Sequence, residues 1–328
     1  MRFLCVMDPI EKLDPEWDNS LALLGELARR GHETWIADAP DLWADKTTVY
    51  GNCRRLRPWS VGAPLAGAQR YRAGTSPAPT IFSLEKFDLI LIRKEPPFNE
   101  EYLTLTYLLE QVAQKVSMVN HPAGIRNANE KLSILNFPKW IPETLVSSSA
   151  ERILDFQKKL GSTVLIKPLD QKGGQGIFLL RPNHQAARHQ LLKATRKGKK
   201  TVMAQRFIDT KQKIEKRIVL LNGEIFALYE KRPRGKEFRG NLGLGATFHI
   251  SRATAQEKKL VRELRPYLLK NGLYLAGIDV LNGKLIEINV TCPAGVTEAK
   301  FLLPKRALLE SWAAFLENFP RRRGQRAR

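Results

Sequence analysis

The chain has 328 residues, of which 43% are hydrophobic and 27% charged, and a formal net charge of +21. That length suits two or three domains rather than one small core, and the longest apolar runs fall well short of the roughly eighteen residues of a membrane span. The apolar run at 3–7 is too short for a secretory signal and Asp8 interrupts it, so the expected compartment is the cytoplasm. Three cysteines, Cys5, Cys53 and Cys292, have neither CxxC nor zinc spacing, which argues against a disulfide framework. Basic residues crowd 193–200, 211–217, 231–239 and 321–328. No helix-turn-helix, zinc finger or aromatic RNA-binding run accompanies them, so they read as a basic surface rather than a nucleic-acid interface. Part of that charge would suit an anionic substrate.

A buried strand is predicted at 3–7, then a helix carrying Leu21, Leu24, Leu27 and Ala28 and stopped by Gly31. Strands follow at 34–37 and 88–92, separated by a Gly-, Pro- and Arg-rich stretch at 40–79 that reads as irregular loop or an edge excursion. A helix at 100–115 and a short strand at 117–120 complete an alternation typical of an open α/β sheet. Further on come a helix at 151–160, a strand at 163–168, a Gly-rich turn at 170–178, a helix at 184–197 and a strand at 202–205. Paired strands at 215–221 and 224–231 flank Asn222-Gly223, and a polar Gly-rich stretch at 232–247 reads as a loop. A helix at 255–269, a hairpin around Asn282-Gly283 and a last helix at 303–316 precede the basic end.

The hairpin carries chemistry. Asp279, Glu287 and Asn289 interrupt apolar strands, where polar groups must be paired or coordinate a cation. Their hard oxygens suit Mg²⁺ held against phosphate. Glu287 and Asn289 share one face by their spacing. Asp279 joins that face only if the loop has three residues, so a three-residue loop is expected. Gly173, Gly174 and Gly176 form a second constellation, because glycines let backbone N–H groups approach phosphate oxygens. The turn leads into a strand and lacks a following Gly-Lys-Ser/Thr, so it is neither a Walker A loop nor a dinucleotide fingerprint. Lys167 lies inside the apolar strand just before it and needs an anion there. Lys131 and Arg217 are further candidates for phosphate.

Several segments together resemble the bacterial glutathione synthetase family of ATP-grasp ligases. They are Ile92-Arg93-Lys94-Glu95-Pro96-Pro97-Phe98, Asn129-Glu130-Lys131-Leu132, Lys167-Pro168-Leu169-Asp170, Gly173-Gly174, Lys216-Arg217, Arg239-Gly240-Asn241-Leu242 and Glu287-Ile288-Asn289-Val290-Thr291. The resemblance implies an α/β ATP-grasp fold behind an N-terminal open-sheet (pre-ATP-grasp) domain. The expected divisions are an N-terminal substrate domain at 1–122, a central lid at 123–203, a C-terminal subdomain at 204–318 and a basic tail at 319–328. ATP would lie between the central and C-terminal portions. The implied reaction joins γ-glutamylcysteine to glycine with ATP and Mg²⁺ (or Mn²⁺), through an acyl phosphate, in a homo-oligomer (tetramer or dimer). Asp279, Glu287 and Asn289 would hold the metal. Lys131, Lys167, Gly173, Gly174, Gln175 and Gly176 would hold phosphates. Gln205, Arg206, Phe207 and Ile208 would receive adenine. Arg217, Arg239 and Lys167 would serve catalysis, and Asp18, Ser20, Arg93, Arg239 and Asn241 the dipeptide.

Two segments depart from the family pattern. The Gly-Gly-Arg run expected after Asn241 is replaced by Leu244-Gly245-Ala246-Thr247-Phe248-His249, and 292–296 is altered too. Both would border the acceptor. A ligase with another acceptor amino acid is therefore a second reading, and a polyanion-binding protein that keeps the fold is a third.

Overall fold

The computed structural model describes residues 1–14, 17–56, 78–171, 173–183, 186–209, 214–233, 246–293, 295 and 305–326. β1 (Arg2–Met7) is buried from Phe3 onward and pairs in parallel with β2 (Glu33–Ala37). Between them runs α1 (Asn19–Arg29), capped by Asp18, whose carboxylate accepts the Leu21 N–H at 2.7 Å. β3 (Leu42–Asp45), β4 (Thr48–Arg55) and β5 (Thr80–Ser83) pair antiparallel and make an edge excursion on β2. β4 hides from sequence patterning because its buried face is Val49, Gly51 and Cys53, with a glycine where alternation wants an apolar side chain. β6 (Leu89–Arg93) pairs with the other side of β1, α2 (Glu100–Val112) follows, and β7 (Ser117–Val119) extends the sheet beyond β6. α3 (Pro122–Asn127) leads out of this seven-stranded sheet, whose order is β3-β4-β2-β1-β6-β7 with β5 on β4.

A second sheet is built from β8 (Thr144–Ser147), α4 (Ala150–Leu160), β9 (Val164–Pro168), β10 (Phe178–Leu180), α5 (Ala187–Ala194) and β11 (Val202–Arg206), with strand order β10-β9-β11-β8. One face packs on α4 and α5 through Ile153, Ile166, Leu191 and Ala204. β11 runs across the 203/204 boundary expected from sequence and pairs only within this sheet.

The third sheet contains β12 (Glu215–Leu221), β13 (Glu224–Arg232), β14 (Thr247–Ile250), then α6 (Ala255–Lys270), β15 (Leu275–Leu281) and β16 (Lys284–Asn289), in the order β14-β13-β12-β15-β16. α6 starts with a Thr254/Glu257 capping box and lays Leu260, Val261, Leu264 and Leu268 in one core with Ile218, Leu220, Ile278 and Ile288. α7 (Lys305–Arg326) places Trp312, Leu316 and Phe319 in the second core, with Phe3, Leu24 and Leu27 of the first sheet layer and Val219, Ala227 and Leu275 of the third. Each such fully buried aliphatic side chain contributes about 1.5–3 kcal/mol. The helix continues well past 316, so the segment expected as a basic tail is helical through Arg326. Among the described residues, no helix is long and apolar enough to cross a membrane.

One buried amide ties the first sheet to the third. Asn120 Nδ2 donates to Leu275 O at 2.6 Å and Val290 O at 2.9 Å, and its Oδ1 accepts Leu275 N–H at 2.7 Å. Replacing it with alanine leaves a buried N–H and two carbonyls without these partners. Asn120→Ala should therefore lower stability by about 3 kcal/mol in chemical denaturation. A loss below about 1 kcal/mol would show that the two sheets are held otherwise.

Candidate active site

Residues directly opposite one another in antiparallel strands share a face. In the third sheet Arg217 lies opposite Asp279, Asp279 opposite Glu287, Gly277 opposite Asn289, and Glu215 opposite Lys231. One face therefore displays Glu215, Arg217, Lys231, Asp279, Glu287 and Asn289. The route differs from the one expected. Leu281 pairs with Lys284, so the loop is the two residues Asn282 and Gly283, at φ 50° and 71°. The expected three-residue loop is absent. Pairing then jumps from Val280–Leu285 to Asp279–Glu287, so one extra residue, Ile286, forms a β-bulge. The bulge restores the parity that the tight turn would have broken, and brings Asp279 and Glu287 to the same side.

Asp279 is the centre of this face. Its Oδ1 accepts Arg217 Nε and Lys231 Nζ, each at 2.8 Å, and its Oδ2 accepts Arg217 Nη2 at 2.9 Å and Asn289 Nδ2 at 3.2 Å. Lys231 also pairs with Glu215. Burial alone would raise the Asp279 carboxyl, but the Arg217 and Lys231 cations overcome it and hold it well below the usual carboxylate range. The converse holds for the two cations: burial would lower them, and Asp279 keeps both above their ordinary values. Burial raises Glu215. Sequence patterning passed over Glu215 and Lys231. The signal available was the two-residue step from Arg217 back to Glu215, with Lys231 across the Asn222-Gly223 hairpin.

The second sheet faces this array. Lys167 on β9 is 4% exposed, and its Nζ donates to Gln205 Oε1 at 2.8 Å. Gln205 Nε2 in turn donates to Thr144 Oγ1 at 2.9 Å. Burial lowers Lys167 from 10.5 to about 8, against the opposing pull of Glu287, Glu215 and Asp279. Lys131 is buried as well, its Nζ 2.7 Å from Gln171 O and 3.1 Å from Glu287 Oε1. Gly173, Gly174 and Gly176 sit at φ 64°, 75° and 69°, a backbone that side chains rarely adopt, beside an exposed Gln175. In the expected adenine segment, Arg206 N–H donates to Glu143 O at 2.8 Å and Phe207 N–H to Thr163 O at 3.0 Å. Ile208 follows β11.

Three of the expected dipeptide residues converge at the end of the first sheet. Arg93 is 3% exposed; its Nε donates to Ser20 Oγ and its Nη1 to Pro293 O, both at 3.0 Å, and its guanidinium lies 5.6 Å from the Trp312 ring centre. Asp18 caps α1 beside them, with its carboxyl raised by burial despite Arg93. Cys292 donates its S–H to Arg93 O at 3.2 Å. Arg239 and Asn241 lie outside the described residues.

The donor set fits a hard divalent cation that arrives with polyphosphate. Glu287 makes an ion pair through one oxygen and has further acceptor positions, and Asn289 offers an amide oxygen. A bare cation would meet Lys131, Lys167, Arg217 and Lys231 around three carboxylates. An anionic nucleotide carrying the cation would be drawn to the same charges.

Facing sheets, one supplying buried lysine and a glycine turn and the other carboxylates and arginine, define an ATP-grasp fold. Solved structures agree. The chain superposes on D-cycloserine synthetase with a TM-score of 0.64 at 13% identity, over 96% of this chain and 99% of that one. It superposes on an ATP-grasp protein with a RimK domain from Sphaerobacter thermophilus with a TM-score of 0.60 at 17% identity, over 96% and 99%. The models for the prokaryotic glutathione synthetase N-terminal domain and ATP-grasp domain match residues 1–126 and 130–302. The chain is 36% identical to the glutathione synthetase of Synechococcus elongatus over 310 residues, covering 91% of this chain and 93% of that protein. It is also 36% identical to that of Nitrosomonas europaea over 302 residues, covering 91% and 92%. The chain belongs to the prokaryotic glutathione synthetase family.

The depressed lysine has a measurable consequence. The unfolded chain holds the Lys167 proton up to pH 10.5 and the folded chain only to about 8. Raising pH through that window removes a proton that the unfolded state alone retains, so folding gains. The stability of wild type relative to Lys167→Met should rise by up to about 3 kcal/mol from pH 8 to 10.5. Parallel denaturation curves across that range would show that Lys167 is not buried as a charge.

Proposed function

We propose that the protein ligates γ-glutamylcysteine to glycine with ATP, forming glutathione, ADP and phosphate. The observation that carries this reading is the opposition of Lys167 to the co-facial Arg217, Asp279, Glu287 and Asn289, in a chain of this family. Lys131 and Lys167 would hold ATP phosphates, with the Gly173–Gly176 turn over them. Asp279, Glu287 and Asn289 would hold Mg²⁺ (or Mn²⁺), which supplies charge neutralisation between phosphates when bound. Gln205 and the backbone at 206–208 would border the adenine.

Catalysis then asks little more of the chain than orientation and charge. Arg217, fixed by a two-pronged bond to Asp279, would present a permanent cation where negative charge develops on the transferred phosphoryl group and on the oxyanion of the tetrahedral intermediate after amine attack. Arg93, Ser20 and Asp18 would place the dipeptide so that its cysteinyl carboxylate reaches the γ-phosphate. Arg239 and Asn241, which the family resemblance assigns to the dipeptide, would add to that binding. An acyl phosphate forms on the dipeptide, the glycine amine displaces phosphate, and exclusion of water protects the intermediate.

A second reading, a related ligase with a different acceptor amine, is favoured by one feature. β14 turns Phe248 toward the working face, its ring 5.1 Å from that of Tyr229, in the region where the family pattern has an arginine. Acceptor scanning separates the two. Purified enzyme with ATP, Mg²⁺ and γ-glutamylcysteine should release phosphate only when glycine is present. Release with another amine instead would establish the second reading. Salt-sensitive polyanion binding without any turnover would replace both. Glu287→Gln should lower turnover at least about 100-fold with the melting temperature little changed; retained activity would remove Glu287 from the metal set.

A further inference from the structure

Glu130 belongs to neither the phosphate-binding nor the metal set, yet it accepts hydrogen bonds from Ile288 on β16 and from Val290 and Thr291 just past it. β16 is an edge strand of its sheet, and an edge strand presents N–H groups on its free side. Here Trp140 O takes the Leu285 N–H at 2.7 Å before the bulge, and Glu130 takes the donors after it. Ile288 N–H donates to its backbone carbonyl at 2.9 Å. Val290 N–H, Thr291 N–H and the Thr291 hydroxyl donate to its side-chain Oε1 at 3.2, 3.3 and 2.7 Å. These bonds bracket Asn289 on both sides. The next residue, Lys131, reaches Glu287.

The bracket matters because the ladder beside it is irregular. The Ile286 bulge separates the Val280–Leu285 pairing from Asp279–Glu287, and a bulge leaves one residue unpaired and disrupts the ladder locally. A slip of one residue would turn Glu287 and Asn289 away from Asp279. We propose that Glu130 is a positioning residue, clamping the end of β16 so that Glu287 and Asn289 face Asp279 as one site. The inference rests on the reading that this site binds ATP with a divalent cation. Glu130 acts through acceptance at one oxygen and not through its charge: Oε1 already receives three donors. The clamp also continues past the metal set, since Thr291 leads to Cys292 and Pro293, which bond to Arg93.

The test uses the full-length protein. Thermal unfolding is followed at saturating ATP while MgCl₂ is titrated, and hydrogen exchange is measured over 286–292 without ligand. Glu130→Ala should raise the magnesium concentration for half the stabilisation by about tenfold, as loss of an outer-shell partner does. It should also speed exchange over 286–292 while leaving β9 and β11 unchanged. Glu130→Gln keeps the acceptor oxygen and should stay within about threefold of wild type. If the glutamine variant is as impaired as the alanine variant, the carboxylate acts by charge and the clamp is overturned. If the alanine variant matches wild type in exchange, it is overturned equally. Should wild type show no magnesium-dependent stabilisation with ATP, the metal reading falls and exchange alone decides the clamp. Should Glu130→Ala not fold, Thr291→Val removes only the 2.7 Å bond and should shift both readouts in the same direction; no shift overturns the proposal.

Discussion

A carboxylate that is only 4% exposed must be matched by positive charge, and Asp279 imposes that demand on the whole third sheet. Breaking such a pair costs about 3–5 kcal/mol, because the surviving charge stays buried without a partner. Arg217 and Lys231 answer it from β12 and β13, and Asn289 adds an amide hydrogen from β16. Four strands therefore meet at one side chain. The arrangement fixes the guanidinium of Arg217 in a plane set by two hydrogen bonds, the preorganisation that its proposed electrostatic role would use.

The same demand explains why the site is assembled between sheets. Lys167 would be a poor resident of β9 if it faced only its own sheet, where among the described residues Gln205 alone accepts from it. The carboxylates of the third sheet offset part of its desolvation, yet its ammonium remains weakened. A polyphosphate between the sheets would supply what is lacking on the lysine side. On the other side, Arg217 and Lys231 already neutralise Asp279, which leaves Glu287, partly exposed, as the carboxylate most open to a cation. On the proposed reading, a cation–phosphate pair would complement both sheets at once.

Much of this was legible from the chain because the chemistry violates the local pattern. Lys167 in an apolar strand, and Asp279, Glu287 and Asn289 in another pair, are visible as misfits without any structure. The α/β alternation of the first third was equally plain, since Leu89–Ile92 and Phe3–Met7 are continuous apolar runs of the kind buried on both faces. The Ile286 bulge was not legible. Asn282-Gly283 marks a hairpin turn, but a two-residue turn alone separates Asp279 from Glu287 by parity, so the sequence points to a three-residue loop, and only the non-local hydrogen-bond register reveals that a bulge supplies the extra residue. Glu215 and Lys231 were missed because alternating charge on a strand looks like a solvated face until burial is known. Glu130 carries no local signal for its task, since its partners lie about 160 positions away. The strand at Thr48–Arg55 was obscured by Gly51 in its buried row.

The altered segments beyond the site acquire a physical meaning once their neighbours are known. In β14, Phe248 lies opposite Lys231 and so shares its face, whereas Thr247 bonds to His249 at 3.0 Å on the other side. The altered segment therefore adds an aromatic surface near Tyr229. Cys292 poses a sharper question, since a thiolate beside an acyl phosphate would intercept it as a thioester. Burial answers it: the Cys292 thiol is pushed well above its ordinary range despite the proximity of Arg93, and its S–H is engaged by the Arg93 carbonyl. A protonated, hydrogen-bonded thiol is a weak nucleophile. Under the proposed reaction, such a thiol would leave the activated carboxylate to an incoming amine, provided that Arg93 stays seated between Ser20 and Pro293.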